Sequence, residues 1–157
     1  MRSNVGIRGM VFLANLCLLA FASAGVATAQ GPVTPRTLPN PVPVYMGPEF
    51  FETGGKQWIR YRYLVENSAA YPAELFLAAP ELPPCGQNTK ASRTWVEIYD
   101  QGGKRLNGFC ALGSPNDLGK LWFALEADVI PPSYVYIEMT DRKTNTKYKS
   151  ILSETTQ

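Results

Sequence analysis

Residues 93–112 read RTWVEIYDQGGKRLNGFCAL, and this stretch predicts a β-hairpin. Apolar and polar side chains alternate along its first part, which is typical of a strand with one buried face. Asp100-Gln101-Gly102-Gly103 follows, and glycine adopts the positive φ angles of tight turns, so we expect Arg93–Tyr99 to pair with Lys104–Leu112. Asn107-Gly108 is a second turn signal. We interpret it as a bulge, because a turn there would leave only a short partner strand.

The two-residue period recurs on both sides of this hairpin, at residues 58–65, 121–126 and 134–139. In a strand this period places one half of the side chains on the inner face. The residues expected to point inward are Ile59, Tyr61, Tyr63, Val65, Val96, Ile98, Leu121, Phe123, Leu125, Val135, Ile137 and Met139. No stretch keeps a helical period, although Ser114-Pro115-Asn116-Asp117 predicts one helical turn with Ser114 as its N-cap.

Seven or eight short strands, separated by turn signals, predict an all-β fold. We expect an antiparallel β-sandwich that is immunoglobulin-like in architecture. A true immunoglobulin domain is not expected, because Trp95 lies only ten residues after Cys85, and the Cys/Trp/Cys order of that family is not reproduced. Six prolines between Gly31 and Pro48 favour extended chain. We therefore divide the mature chain into a proline-rich linker or covering strand at 30–48 and the sandwich at 49–157.

The first 29 residues predict a secretory signal peptide. Arg2 and Arg8 precede an apolar run from Met10 to Ala22, and Ala27-Thr28-Ala29 has the form of a cleavage site, so we expect the mature chain to begin at Gln30. This predicts export to the periplasm or to the outside of the cell. The apolar run is shorter than the roughly 20 residues that span a bilayer, so we expect no stable membrane anchor after cleavage.

Two other interpretations of the N-terminus stay open. Cys17 is a candidate for lipidation, but Leu16 stands directly before it, where a lipoprotein has a small residue. Cys17 fits better as an apolar residue of the signal core. Cleavage after Ala24 instead of Ala29 would leave five extra residues on the same mature domain.

Cleavage after residue 29 also changes the charge of the chain. The full sequence has 15 Lys and Arg against 13 Asp and Glu, and removing Arg2 and Arg8 leaves 13 of each. A neutral domain lacks the basic patch that binds nucleic acid. The chain contains no histidine, which excludes Ser-His-Asp and Cys-His catalysis and histidine-ligated zinc or copper. We expect no catalytic activity, no metal and no cofactor.

Only Cys85 and Cys110 remain after cleavage, and in an oxidising compartment they most simply pair with each other. On the chain-entropy model, closing a loop of about 26 residues stabilises a fold by roughly 3 to 4 kcal/mol. The alternative is a redox or nucleophilic role. That role lacks both a C-x-x-C motif and a histidine to activate a thiol.

Three stretches resemble a signature of small exported bacterial proteins that have no assigned activity. They are PPCGQNTKASRTWVEIYD (Pro83–Asp100), GFCALGSPNDL (Gly108–Leu118) and LWFAL (Leu121–Leu125). Together they cover roughly half of the mature chain. The resemblance implies an exported β domain with Cys85 paired to Cys110, and it implies no reaction.

The outward half of the alternation carries the main candidate binding site. An outer sheet face usually bears Thr, Ser and Lys, whereas this one bears all three tryptophans of the chain. The candidate residues are Trp58, Arg60, Arg62, Trp95, Glu97, Tyr99, Trp122, Tyr134, Tyr136 and Glu138. Aromatic rings beside Arg and Glu stack on sugars or anchor protein interfaces. Alternatively, the N-terminal segment or long loops cover this face, and Arg60 and Arg62 pair with Glu97 and Glu138 across strands.

Three further sites compete with the aromatic face. The loop Ala79–Ser92, tethered by Cys85, is either a pre-ordered segment of the kind that inhibitors insert into enzyme clefts or a stapled connection. Glu97 and Glu138 are paired carboxylates of the kind that a glycosidase needs, or they are cross-strand partners for Arg. Oxygen ligands for calcium are offered by the turn residues Asp100, Asp128, Asp141 and Asn145, although turn formation alone explains them.

We therefore predict an exported, non-catalytic binding or interaction module, monomeric or weakly associating, whose partner is an exported protein or a glycan. The first alternative is an inhibitor of an exported hydrolase that acts through residues 79–92. The second alternative is a carboxylate-dependent glycoside hydrolase.

Overall fold

The computed structural model describes residues 37–85, 87 and 91–155, which form two antiparallel β-sheets packed face to face. The strands are β1 (Pro43–Thr53), β2 (Lys56–Val65), β3 (Thr94–Asp100), β4 (Arg105–Phe109), β5 (Leu121–Glu126), β6 (Tyr134–Asp141), β7 (Thr146–Lys149) and β8 (Ser153–Glu154). Short 3-10 turns lie at Ser68–Ala70, Ala73–Phe76 and Pro115–Gly119, and the described part of the chain contains no α-helix. The predicted all-β antiparallel sandwich is therefore confirmed.

Sheet 1 has the strand order β1-β2-β5, and sheet 2 has the order β4-β3-β6-β7, with β8 also pairing with β6. The residues predicted to point inward form the core between the sheets, where Tyr63, Phe123 and Ile137 are completely buried. Burial of a large apolar side chain is worth roughly 1.5 to 3 kcal/mol. Ile59 and Leu125 are only half-buried, because they pair with each other towards the β1–β2 turn at one end of sheet 1.

The predicted hairpin is present as β3 and β4. Gly103 has a φ of 85°, and the Asp100 carboxylate accepts hydrogen bonds from two backbone N–H groups of the turn at 2.8 and 2.9 Å. The prediction of a bulge at Asn107-Gly108 is wrong, because both residues pair regularly with β3. The register of the pairing shifts at Leu106, one residue earlier in the chain. A Cβ on residue 108 would overlap the Arg105 guanidinium. Because glycine has no side chain, the Arg105 guanidinium can lie over residue 108.

β1 begins inside the proline-rich segment, so sheet 1 starts six residues before the predicted boundary at residue 49. Pro43 and Pro48 are tolerated because β1 is an outer strand, which among the described residues pairs only with β2. The chain before β1 is also fastened to the domain, since the Tyr71 hydroxyl donates to Pro39 O at 2.9 Å. Burial raises the pKa of Tyr71 to about 12.

A β-bulge interrupts β1. The register against β2 shifts between Tyr45 and Gly47, which leaves Met46 as the extra residue, and Gly47 then lies opposite Arg62. Gly47 has a φ of 94°, a backbone conformation that favours glycine. A bulge of this kind bends the strand and redirects a side chain. Here it displaces Met46 from the regular alternation.

The predicted disulfide between Cys85 and Cys110 is present, with 6.1 Å between the two Cα atoms. Cys85 precedes β3 and Cys110 follows β4, so both flank strands of sheet 2. The bond therefore does not join the two sheets, as the disulfide of an immunoglobulin domain does. Backbone bonds from Ser92 N to Cys110 O at 2.7 Å and from Ala79 N to Ala91 O at 3.0 Å close the base of the loop Ala79–Ser92.

The predicted signal peptide, its cleavage site and Cys17 lie outside the described residues. Within residues 37–85, 87 and 91–155, no helix has the length and apolar character that crossing a membrane requires.

Candidate functional site

The structure divides the predicted aromatic set between two surfaces. Sheet 1 carries Trp58, Arg60, Arg62 and Trp122, whereas sheet 2 carries Trp95, Glu97, Tyr99, Tyr134, Tyr136 and Glu138. The alternation correctly separated inward from outward side chains, but it does not say which sheet a strand joins. The two outer faces are separated by the core, so the set does not form one continuous surface.

On sheet 2, Glu97 and Glu138 lie directly opposite each other on β3 and β6. Each carboxylate is paired with a cation from the flanking strand. Arg105 Nε is 2.8 Å from Glu97 Oε1, and Lys147 Nζ is 2.7 Å from Glu138 Oε1. The predicted pairing of these carboxylates with the arginines of β2 is wrong, because β2 belongs to the other sheet.

The tyrosines of sheet 2 are held in the same network. The Tyr99 hydroxyl donates to Glu97 Oε2 at 2.8 Å, the Tyr99 and Tyr136 rings stack at 5.2 Å, and Lys149 Nζ lies 3.8 Å from the Tyr136 centroid. Burial, together with the hydrogen bond to Glu97 and the charge of that carboxylate, raises the pKa of Tyr99 to about 12. The partners occupy three of the four oxygens of the Glu97–Glu138 pair, oxygens that a glycosidase would need for substrate and water.

Trp95 lies at the end of sheet 2 where the loop Ala79–Ser92 returns. The Arg142 guanidinium covers its ring, with the Cζ atom 4.5 Å from the centroid. The same guanidinium donates to Ser92 O at 3.1 Å and to Pro83 O. Trp95 and the loop are therefore fastened by one arginine. Tyr134, 41% exposed, is the most open aromatic residue that the set places on this sheet.

Asp141 anchors the same end of sheet 2. Its carboxylate accepts two hydrogen bonds from Arg93, from Nε at 2.8 Å and from Nη2 at 2.5 Å. Burial by itself raises the pKa of Asp141, but hydrogen bonds from Arg93, from the Lys143 N–H and from the Thr144 hydroxyl outweigh it. The pKa therefore lies below its ordinary value of 3.8.

Sheet 1 carries a ladder of rings around one arginine. The Arg60 guanidinium lies between Phe51 and Trp122, with its Cζ atom 4.9 and 4.7 Å from the two ring centroids. Phe51 stacks on Trp58 at 6.4 Å, and Phe109, which comes from β4 of sheet 2, makes an edge contact with Trp122 at 6.3 Å. Sequence reasoning missed Phe51 and Phe109. Counting back from the Gly54-Gly55 turn would have found Phe51, since it pairs with Trp58.

An open cavity of about 350 Å³ adjoins this ladder, and we call it the sheet 1 cavity. It is lined by Met46, Glu49, Arg60, Arg62, Gly119, Lys120, Leu121 and Trp122. Gly47, Arg62 and Trp122 form one row across the three strands. Gly47 brings no side chain to this row, so on the β1 side the lining comes from Met46, the extra residue of the bulge, and from Glu49. The bulge, which the alternation did not reveal, therefore shapes one wall of the cavity.

Three cations and one carboxylate line the sheet 1 cavity, and a second carboxylate, Asp117, pairs with one of the cations. Glu49 Oε2 is 3.4 Å from Arg60 Nη1 and 4.0 Å from Arg62 Nε, and Lys120 Nζ is 3.6 Å from Asp117 Oδ1. The local balance therefore leaves one positive charge. Arg62 and Lys120 are the open cations, with side chains 48% and 80% exposed.

The predicted helical turn places Lys120 at this cavity. The turn is present as the 3-10 turn Pro115–Gly119, and Asp117 Oδ2 accepts hydrogen bonds from Gly113 N at 2.9 Å and from Ser114 N at 3.1 Å. These hydrogen bonds lower the pKa of Asp117, and the bond from Gly113 has the largest effect. Lys120 directly follows the turn and precedes β5.

Three of the four turn residues proposed for calcium have structural roles in their turns. The Asp100 carboxylate closes the β3–β4 turn, Asp141 binds Arg93, and Asn145 adopts a φ of 57° in the β6–β7 turn. In the described part of the chain, no three His, Cys, Asp or Glu residues come close enough to hold a metal ion.

Comparison with known proteins gives one distant likeness. No family model matches the chain, and no curated protein matches it. Among solved structures, the human pre-T cell receptor is similar at 17% identity with a TM-score of 0.40, over 73% of this chain and 97% of that chain. The fold assignment rests on the strands and their pairing.

Proposed function

We propose that this protein is an exported, non-catalytic binding module whose ligand site is the sheet 1 cavity. One observation carries the proposal: an open cavity beside Trp122 holds two exposed cations, Arg62 and Lys120, at a place where a β-bulge breaks the regular sheet. Bulges are over-represented next to functional sites. Concave sites with an aromatic wall and a few polar groups are the usual form of ligand sites.

The outer face of sheet 2 fits the structural alternative better. Its carboxylates are paired with Arg105 and Lys147, its stacked tyrosines bind Glu97 and Lys149, and Arg142 covers Trp95. Groups that already satisfy one another gain little from a ligand, because a new contact must first replace an existing one. We therefore place the binding site on sheet 1 and assign sheet 2 a packing role.

The hydrolase-inhibitor hypothesis keeps one specific observation in its favour. The described part of the loop Ala79–Ser92 is fastened by the Cys85–Cys110 bond, by Arg142 at Pro83 O, and by an ion pair of 3.7 Å between Lys143 and Glu81. Residues that are already fastened lose little entropy when they bind. This second candidate uses the opposite sheet, so the two candidates are separable.

Gly119→Leu tests the proposal. Residue 119 lines the cavity, and a Cβ built there meets no atom within 4 Å, so a larger side chain fills the space without removing a contact. The wild-type chain, Gly119→Leu and the sheet 2 control Tyr134→Ala are applied to a glycan panel and to an envelope extract. We expect a ligand of the wild type that Tyr134→Ala retains and Gly119→Leu loses. A captured hydrolase retained by Gly119→Leu would favour the inhibitor and contradict the module.

A further inference from the structure

We propose that the sheet 1 cavity binds the carboxylate of an acidic saccharide, which Arg62 and Lys120 hold together. The inference rests on the proposed function and names the ligand class of the same site. The sequence suggests that aromatic rings stack on a ligand. Around this cavity, however, the exposed groups that can bind a ligand are the cations Arg62 and Lys120.

Arg62 is the first ligand-binding group. Among the described residues its recorded ion pair is with Glu49, through Nε at the long distance of 4.0 Å. Arg62 also lines the open cavity, and its side chain is half-exposed. A guanidinium carries its donors in a fork, the geometry that matches a carboxylate. Arg60 does not serve in the same way, because its guanidinium is enclosed between Phe51 and Trp122.

Lys120 is the second group. Its side chain is 80% exposed and lies 3.6 Å from Asp117, on the opposite wall of the cavity from Met46 along the row of strands. An exposed pair at this distance contributes little to stability. Lys120 is thus free to reorient towards an anion without a large loss.

The charge balance favours a carboxylate over a phosphate. The cavity is lined by three cations, Arg60, Arg62 and Lys120, and by one carboxylate, Glu49. When Asp117, the ion-pair partner of Lys120, is included, one positive charge remains, which one bound carboxylate would neutralise. A phosphate monoester carries about −1.5 to −2 charges at neutral pH and would leave an excess of negative charge beside Glu49.

The shape of the site favours a saccharide over a peptide. Peptides commonly add a strand to a sheet edge or lie in an extended groove. The sheet 1 cavity instead lies on a sheet face, and its volume of about 350 Å³ is near the lower limit for ligand sites. Its apolar walls are the exposed Met46 thioether and the part of the Trp122 indole that Arg60 leaves open. A compact ring with one carboxylate fits these walls.

The experiment measures binding of trisaccharides of galacturonate, glucuronate and mannuronate to the purified, oxidised chain by calorimetry. Each trisaccharide has its methyl ester as a neutral counterpart, and a glutamate-rich tripeptide and inorganic phosphate complete the panel. We expect at least one uronate to bind, with the ester about tenfold weaker or more, since a hydrogen bond to a charged group is worth that much. Binding should also weaken as salt rises.

Four variants assign the interaction. Arg62→Ala should weaken uronate binding about tenfold or more and Lys120→Ala several-fold, while Gly119→Leu should abolish it. Lys104→Ala removes an exposed charge at the β3–β4 turn, on the other sheet, and should leave binding unchanged.

Each contrary outcome has its own meaning. Equal binding of ester and acid, or unchanged uronate binding by Arg62→Ala, would overturn the carboxylate assignment. If Gly119→Leu still loses binding in that case, the proposed function stands. Tighter binding of the tripeptide or of phosphate would overturn the saccharide class. If none of the three uronates binds, the inference is wrong, and the envelope and glycan capture then decides the proposed function separately.

Discussion

The two outer faces of this sandwich are built from the same residue types, yet their charges are arranged differently. On sheet 2, Arg105 and Lys147 each meet a carboxylate at less than 3 Å on the neighbouring strand. On sheet 1, Arg62 lies opposite Gly47, has its carboxylate only at 4.0 Å, and lines a cavity. On sheet 2 these cations and carboxylates therefore bind one another across the strands. On sheet 1 the residue of β1 opposite Arg62 is a glycine, which has no side chain to bind it.

The largest expected effect tests whether sheet 2 is held by its own charges. Asp141→Ala leaves Arg93 without its two hydrogen bonds, and we expect a loss of about 2 kcal/mol in the free energy of unfolding, measured in urea. Removing one partner of a fully buried pair costs roughly 3 to 5 kcal/mol, and the value here is lower because the Arg93 side chain is 28% exposed. Asp128→Ala, an exposed turn aspartate, is the control and should cost less than about 0.5 kcal/mol.

The same carboxylate sets a pH dependence. Because the pKa of folded Asp141 is lowered, its contribution is complete above the ordinary pKa of 3.8 and is lost as pH falls through the lower folded value. The wild type should therefore lose more stability below about pH 4 than Asp141→Asn, in urea titrations at several pH values. Parallel curves for the two proteins would show that Asp141 contributes nothing through its charge.

A smaller effect compares the ring pairs of the two faces. The Tyr99–Tyr136 rings are 5.2 Å apart and nearly parallel, whereas the Phe51–Trp58 rings are 6.4 Å apart. Double-mutant cycles with leucine should give a coupling of about 1 kcal/mol for the tyrosines and less for the sheet 1 pair. A stronger coupling on sheet 1 would reverse the assignment of packing to sheet 2.

Smaller still is the effect of one exposed cation on sheet 2. Arg105→Ala should cost about 0.5 kcal/mol, because it leaves Glu97 directly opposite Glu138 with less compensation. Adding Glu97→Gln to that variant should restore part of the loss, since it removes the repulsion. If the second substitution adds to the damage, the two carboxylates do not repel each other measurably.

The smallest expected effect is on sheet 1. Lys120→Ala should leave the free energy of unfolding within about 0.5 kcal/mol of the wild type, because the side chain is 80% exposed. Thermal and urea unfolding would measure it. A loss of more than about 1 kcal/mol would mean that Lys120 is a structural residue.

Local patterns in the sequence were sufficient for strands β2 to β6 and for the core, but not for β1. The alternation from Trp58 to Val65 places Tyr61 and Tyr63 inside, and the Gly102-Gly103 turn defines the β3–β4 hairpin, as the structure confirms. These features depend on neighbours a few residues away. The Cys85–Cys110 bond also followed from the sequence, because only two cysteines remain after the predicted cleavage.

The partners of the charged residues could not be predicted in the same way. Arg60 pairs with Glu49 because β1 lies beside β2, and Glu97 pairs with Arg105 because β4 lies beside β3. Sheet membership depends on contacts between distant strands, which periodicity does not contain. The bulge at Met46 is a one-residue shift of register, and no alternation around it marks that shift.

The bulge at Met46 also bears on self-association of the chain. β1 has eleven residues and, among the residues that the structure describes, pairs with β2 alone. A long regular edge of this kind is a template on which a second chain can add a strand and aggregate. The bulge, together with Pro43 and Pro48, divides that edge into short runs that cannot continue a ladder. A regular β1 would therefore offer a longer edge for the addition of a second chain, so the bulge at Met46 protects the chain from aggregation.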